Sequence, residues 1–387
     1  MTKSKNRKSA SANKKRTDHK LANRKNRLKS IILRQVIIFG SIFIVSIISL
    51  EITFRIYLFL ARKDVIKVLP KKEVFEKAWF APHPYLIYVF KPDSTFRMNK
   101  FARGLFTINH YGFRSTLEFD VKNTVKPPGT LRIATLGGST TMGVNDDNLI
   151  WPYLTGKYLK ERNNNLNIEV LNEGIMGYTS LENLLDLSMR VIDYDSDIYI
   201  LYLGVNDIFA EAPVDIYRTD YAHFRRTLYE NLDGAYLPGW LLQSKIISGF
   251  LQMSGVRDSR DLINNTTTGK FQVNYEVPQN QQAIVELALR RTIMRNVKSM
   301  VGVIRAHKPN AMIILSSFVD FRRLRVMFGM NSDFEKYAHK AGLVFVDAAN
   351  RIPQDGSTYD YGHFTPKGDR MMAELFAEAI ANNIRQK

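Results

Sequence analysis

The rhythm of hydrophobic positions changes twice along the chain. No charged residue occurs between Val36 and Leu50, and apolar character continues through Ile52, Phe54, Ile56, Tyr57, Leu58 and Phe59. A helix crosses a hydrocarbon core in about 20 residues. Glu51 and Arg55 stand four apart, so on one helical face they can pair and reach an interface at the end of the span. This pattern predicts a transmembrane anchor over residues 31–60. A cleaved signal peptide fits less well, because the basic region before it is very long and no small-residue cleavage site follows.

Residues 61–130 are aromatic and irregular, as in "AWFAPHPYLIYVFKPDSTF" and "FTINHYGFRS", which predicts a lead-in of a few short strands. The breaker cluster "NTVKPPGT" (123–130) closes it. From 131 onward β-branched and aliphatic runs alternate with helical stretches. Strands are predicted at 132–136, 168–172, 198–204, 311–318 and 343–347, and helices near 151–161, 181–192, 281–307, 332–341 and 366–383. Residues 208–280 have weak periodicity and read as an insertion with some helix of its own. Near-continuous apolar strands separated by helices define an α/β domain with a central parallel sheet, covered on both faces, over 131–387.

Composition changes this picture in two places. The chain has 387 residues, enough for a sizeable core, and carries a formal net charge of +18. Residues 1–30 hold twelve Lys or Arg against one acid, Asp18, so +11 of that charge lies in the tail and +7 in the rest. The excess is a tail property without interleaved aromatics, which argues against a nucleic-acid partner. The positive-inside rule puts this tail in the cytoplasm and the α/β domain on the far side of the membrane. No cysteine is present, which excludes disulfides, thiolate nucleophiles and cysteine-ligated zinc.

In an open parallel sheet, ligands gather where the C-terminal ends of strands meet the following loops. Four such places carry small or polar residues: "GGSTT" (137–141), "NEGIMGYTS" (172–180), "GVND" (204–207) and "DYGHFTPKG" (360–368). Taken alone, the first is a tight turn with a helix cap, a phosphate loop or a nucleophile loop. A phosphate-binding P-loop needs a Lys after the glycines, and the nucleophile elbow of α/β-hydrolases needs Gly where Thr141 stands. Thr140 and Thr141 are expected to cap the following helix. Of seven histidines, His363 follows Asp360 by three residues in an irregular stretch at the rim of the sheet, whereas His223 lies in the insertion. Asp360 can accept its Nδ1–H, leaving Nε2 to take a proton from Ser139.

The four loops together resemble the SGNH (GDSL-like) hydrolase superfamily over roughly residues 131–385. The Ser block matches at Ser139, with Gly138 where the namesake motif has Asp. The Gly block matches as Asn172 and Gly177, the third as Gly204, Asn206 and Asp207, and the last as Asp360 and His363. The resemblance implies a three-layer α/β/α fold of the SGNH/flavodoxin-like kind. It further implies Ser139 as nucleophile, His363 as general base and Asp360 as its orienting partner. The oxyanion hole would be formed by the backbone N–H groups of Ser139 and Gly177 with the Asn206 amide. No cofactor and no metal are implied. Asp207 is read as holding its own loop.

The anchor, "HPYLIYVFKPDSTF" and "NHYGFR" resemble membrane-anchored bacterial members, although these blocks carry no assignable chemistry. Arg114 is expected in a surface salt bridge, or lining a cleft. The leading expectation is an esterase of the inner membrane, facing the periplasm or cell exterior, that removes acyl groups such as O-acetyl from an envelope glycan or lipid. An O-acyltransferase modifying surface polysaccharide, and a non-catalytic scaffold with envelope proteins as partners, are the alternatives.

Overall fold

The computed structural model describes residues 3–68, 79–97, 104–225, 237–256, 275–319, 325–360 and 362–384. Helix α1 (Lys3–Leu60) opens the chain. Two short antiparallel pairs follow: β1 (Phe80–Pro82) with β2 (Tyr88–Phe90), and β3 (Thr95–Arg97) with β4 (Leu105–Thr107). Next come β5 (Thr130–Gly137), α2 (Ser139–Met142), α3 (Trp151–Arg162), β6 (Asn167–Gly174), α4 (Ser180–Met189) and β7 (Ile198–Tyr202). The insertion carries α5 (Gly239–Leu242) and α6 (Lys245–Met253). The chain continues with α7 (Gln282–His307), β8 (Met312–Ser316), α8 (Arg325–Ala341), β9 (Val344–Val346) and α9 (Ala348–Arg351). It closes with β10 (Tyr359–Asp360), β11 (His363–Phe364) and α10 (Pro366–Ile384).

These residues form two compact units, one of residues 1–68 with 237–256, the other of 69–236 with 257–387. In the first, Arg27–Leu60 of α1 is a stretch long and apolar enough to cross a membrane. Residues 237–256, read from the sequence as part of an insertion in the α/β domain, sort with this helix. The helix itself forms because its apolar run contains neither Pro nor any Gly but Gly40.

The second unit is built on a five-stranded parallel sheet in the order β6-β5-β7-β8-β9. Its strands are apolar on both faces because helices cover both, and Ile133, Leu136, Ile200 and Leu201 are fully buried. The capping box of Thr179 and Glu182 starts α4, and Trp151 at the head of α3 packs on Phe376 of α10 at 4.8 Å. Strand order reverses beside β5: β6 lies on one side of it, and β7, β8 and β9 on the other. That reversal opens a crevice at the carboxyl ends of the strands. The lead-in adds an aromatic cluster of its own, with Trp79 stacked on Phe96 (4.5 Å) and Phe96 on Phe106 (5.5 Å). This cluster extends to Met142, Ile175, Met176 and Tyr178, which belong to two of the loops at the crevice.

Candidate active site

Ser139 begins α2 directly after β5, and His363 begins β11. The two are 224 positions apart in sequence, yet His363 Nε2 lies 2.8 Å from Ser139 Oγ. Asn145 holds them together: its amide donates to the backbone oxygen of Phe364 (3.1 Å) and to Asp369 of α10 (2.6 Å). Asp369 also accepts from the Trp151 amide (3.1 Å), so one buried carboxylate fastens the head of α10 to the head of α3. The stretch around His363 is a hairpin, with Asp360 directly opposite His363 in register and Gly362 at φ +89° in the turn. The side chain of Asp360 and residue Tyr361 lie outside the described residues.

Asn206 follows β7 and reaches toward the Ser139 loop. Its Nδ2 donates to the Tyr178 carbonyl at 2.9 Å, which leaves its second amide hydrogen to offer elsewhere. A Cβ at Gly138 would lie 2.4 Å from that same Nδ2. In this chain the amide occupies the room that a side chain on residue 138 would take. Gly138→Ala is therefore expected to displace Asn206 and lower kcat about 10- to 100-fold, toward the loss of a whole oxyanion donor. Unfolding in urea should change by less than about 1 kcal/mol, since the displaced atom ends a side chain. A variant with wild-type kcat would separate Asn206 from the chemistry.

Gly177 has φ +77°, a conformation that side-chain-bearing residues rarely adopt. Its loop is fixed from two directions that the sequence did not disclose. Tyr88 of the lead-in donates its hydroxyl hydrogen to the Met176 carbonyl, and the Tyr178 hydroxyl donates to the Tyr88 carbonyl. Burial pushes the Tyr88 phenol up to about 12, so it remains a donor at neutral pH. Arg225, from the start of the insertion, donates to the Gly177 carbonyl and pairs with Glu182 at 2.9 Å. Asn172 lies under the Ser139 helix and donates to the Met142 carbonyl (3.3 Å).

Arg114 is neither a surface residue nor a cleft residue. It is 0% exposed, stacked at 4.0 Å on the Phe106 ring, and paired with Asp147. Its guanidinium donates to the carbonyls of Met142 (3.0 Å), Gly143 and Asn145 (2.5 Å each), the turn immediately after the Ser139 helix. A planar group with five donors suits such a set of acceptors, and a surface pair would have no use for it. Thr140 and Thr141 also differ from expectation. The cap position of α2 is Gly138, and both threonines lie inside the helix, where Thr141 Oγ1 donates to the Tyr202 carbonyl (3.4 Å).

Asp207 is fully buried and accepts from the Ser180 amide (2.8 Å), the Ser180 hydroxyl (2.5 Å) and the Tyr221 hydroxyl (2.7 Å). It ties the Asn206 loop to the head of α4. Burial raises its carboxyl to about 6, against the opposing pull of these donors. The folded value lies above the ordinary one, so the stability it contributes is present below about pH 4 and lost as pH rises through about 6. Between pH 5 and 7 the wild type should lose about 1 kcal/mol relative to Asp207→Asn, whose amide does not titrate. Urea unfolding of both proteins at the two pH values measures this. Identical pH dependence would place the carboxyl's titration below pH 5.

A serine hydroxyl 2.8 Å from an imidazole nitrogen, where strand order reverses in a parallel sheet flanked by helices, fits a hydrolase of the SGNH type. Among the described residues no group of His, Cys, Asp and Glu side chains is arranged to hold a metal ion. The sequence profile of the GDSL-like Lipase/Acylhydrolase family matches residues 135–371, and the chain belongs to that family. No curated protein matches it. Similar solved structures include a lipolytic protein of the G-D-S-L family from Desulfitobacterium hafniense, 13% identical over 65% of this chain and 99% of that one, with a TM-score of 0.39. A GDSL-like lipase from Bacteroides thetaiotaomicron is 18% identical over 69% and 93%, with a TM-score of 0.37. A carbohydrate esterase of family 3 from Talaromyces cellulolyticus is 11% identical over 67% and 100%, with a TM-score of 0.41.

Proposed function

We propose that the protein is a membrane-anchored serine esterase that removes acyl groups, O-acetyl foremost, from an envelope glycan or lipid. The observation that carries this reading is the 2.8 Å contact between His363 Nε2 and Ser139 Oγ beside the Asn206 amide. In the proposed reaction His363 takes the hydroxyl proton as Ser139 Oγ attacks the ester carbonyl. The backbone N–H groups of Ser139 and Gly177 and the Asn206 amide receive the developing oxyanion. The tetrahedral intermediate collapses to acyl-Ser139, and the leaving alcohol departs with the proton from His363. Water then attacks the acyl-enzyme with His363 again as base, releasing the carboxylic acid. Asp360 would hold the imidazole in its tautomer.

The anchoring part of the reading is supported by the apolar stretch Arg27–Leu60, and the orientation by the basic tail before it. In this reading the N-terminus is cytoplasmic, the span lies in the inner membrane of a bacterium and the catalytic unit lies outside. An acylated glycan or lipid is the substrate partner, and envelope proteins are candidate neighbours.

A fluorophosphonate probe and an activated acetyl ester test the function, using the full chain in detergent. Labelling together with release of free acetate, in the presence or absence of a glycan acceptor, is the expected result. Acetylated glycan in place of acetate would make the enzyme a transferase. Absence of both labelling and turnover would overturn the enzymatic reading and leave a scaffold.

A further inference from the structure

The insertion returns to the anchor helix, and it does so through charged groups at the end of the apolar span. Glu51 of α1 accepts from the Ser244 hydroxyl (2.7 Å), the Lys245 amide (2.8 Å) and the Ile246 amide (3.3 Å), so it caps the N-terminus of α6. Arg55 binds Glu51 at 2.7 Å and donates to the Gln243 carbonyl at 2.8 Å. Further along, Gln252 accepts from the Ile66 amide (3.3 Å) and Lys245 pairs with Asp64 (2.6 Å). The side of α6 toward α1 is made of small residues. Ser248 is buried, and a Cβ on Gly249 would be 3.5 Å from Phe54 and from Val65, the close backbone approach typical of helices that pack within lipid.

The other side of this element is apolar and uncovered. Trp240 is 71% exposed, Phe250 64% and Met253 84%, and on the same end of α1 Phe59 and Leu60 are equally bare. At 1.5 Å per residue, Arg34 and Arg55 are about 32 Å apart along α1, close to the ~30 Å of a hydrocarbon core. Glu51 and Arg55 therefore mark the boundary of the span, and the element they cap starts at that depth. Tryptophan prefers this level, with its ring in acyl chains and its N–H toward the headgroups.

The geometry points to residues 237–256 as a second membrane contact: an interfacial helix, latched to α1 by Glu51 and Arg55, that seats Trp240, Phe250 and Met253 in the leaflet at the Leu60 end. This rests on the reading of α1 as a membrane span. The occupant is lipid because the face is continuous with a helix whose apolar side chains from Ile31 to Leu50 are all exposed. The latch also explains a Glu and an Arg so close to an apolar run: their charges satisfy the head of another helix.

The full chain, reconstituted in vesicles of phosphatidylcholine and phosphatidylglycerol, tests this. The chain has three tryptophans, and Trp79 and Trp151 are buried in the α/β unit. Lipids brominated near the headgroup should quench part of the tryptophan emission, and the quenchable part should vanish in Trp240→Phe. Glu51→Gln should weaken the quenching while the protein still floats with the vesicles. Protein that fails to float would overturn the anchor itself. Protein that floats with emission insensitive to bromine, or with quenching unchanged in Trp240→Phe, would overturn the interfacial helix alone and leave its face to a protein partner.

Discussion

Ester turnover by Ser139→Ala is expected to fall about 10⁴- to 10⁶-fold, and covalent labelling by a fluorophosphonate to disappear. The size of the effect follows from the 2.8 Å contact with His363. In the proposed reaction, removing Oγ deletes both the attacking atom and the proton that His363 would move. What remains is binding and the oxyanion donors, which by themselves accelerate hydrolysis only modestly over water. His363→Ala should lose nearly as much turnover and label only weakly. The double variant should be no worse than Ser139→Ala, because the two side chains act as one device. Purified full-length variants assayed on an activated acetyl ester measure this. Residual turnover within tenfold of wild type in Ser139→Ala would move the nucleophile elsewhere.

The second large effect belongs to a residue that touches no reacting atom. Arg114→Met should destabilise the α/β unit by about 3–5 kcal/mol, because it strands the buried carboxylate of Asp147 and the turn carbonyls together. Activity in the molecules that stay folded should also drop, since those carbonyls belong to the turn that ends the Ser139 helix. Arg114→Lys should recover only a small part of either loss. A point charge with three donors cannot replace a planar fork that serves a carboxylate and three backbone oxygens. Urea unfolding followed by tryptophan emission reads the stability, and active-site titration with the fluorophosphonate reads the competent fraction. Wild-type stability in Arg114→Met would show that the buried pair costs as much as it contributes.

The alternating α/β pattern was legible because strands buried on both faces must be apolar throughout, and five such runs leave little freedom of topology. The chemistry-bearing loops were legible for a related reason. Small and polar residues at the ends of apolar strands have few other uses, and four of them converge on one rim. The supports behind these loops left no comparable trace. Arg114 lies 28 to 31 positions from the carbonyls it holds, Arg225 lies 48 from the Gly177 carbonyl and Tyr88 lies 88 from that of Met176. An arginine or tyrosine in an irregular segment looks the same whether it faces water or a buried carbonyl. Only the aromatic density of the lead-in hinted that it packs on something, and the loops it packs on are those of the site. The threonines after Ser139 misled for the opposite reason: their residue type suits a cap, but Gly138 already occupies that position.

The path of the chain between the two units bears on how the enzyme could ever be set loose. It passes from one to the other near residue 68, returns near 236 and leaves again near 256. Proteolysis between Val68 and Trp79 would break one connection, and the severed stub would still hold the head of α6 through Glu51. Release of the α/β unit would require cuts at both of the other crossings as well, or rupture of that cap. Simple deletion of residues 1–68 would have a different outcome: α6 would lose its N-terminal partner and bare the Ser248–Gly249 side as well as Trp240. A soluble hydrolase is better sought by removing α1 and residues 237–256 together, closing the gap with a short polar link.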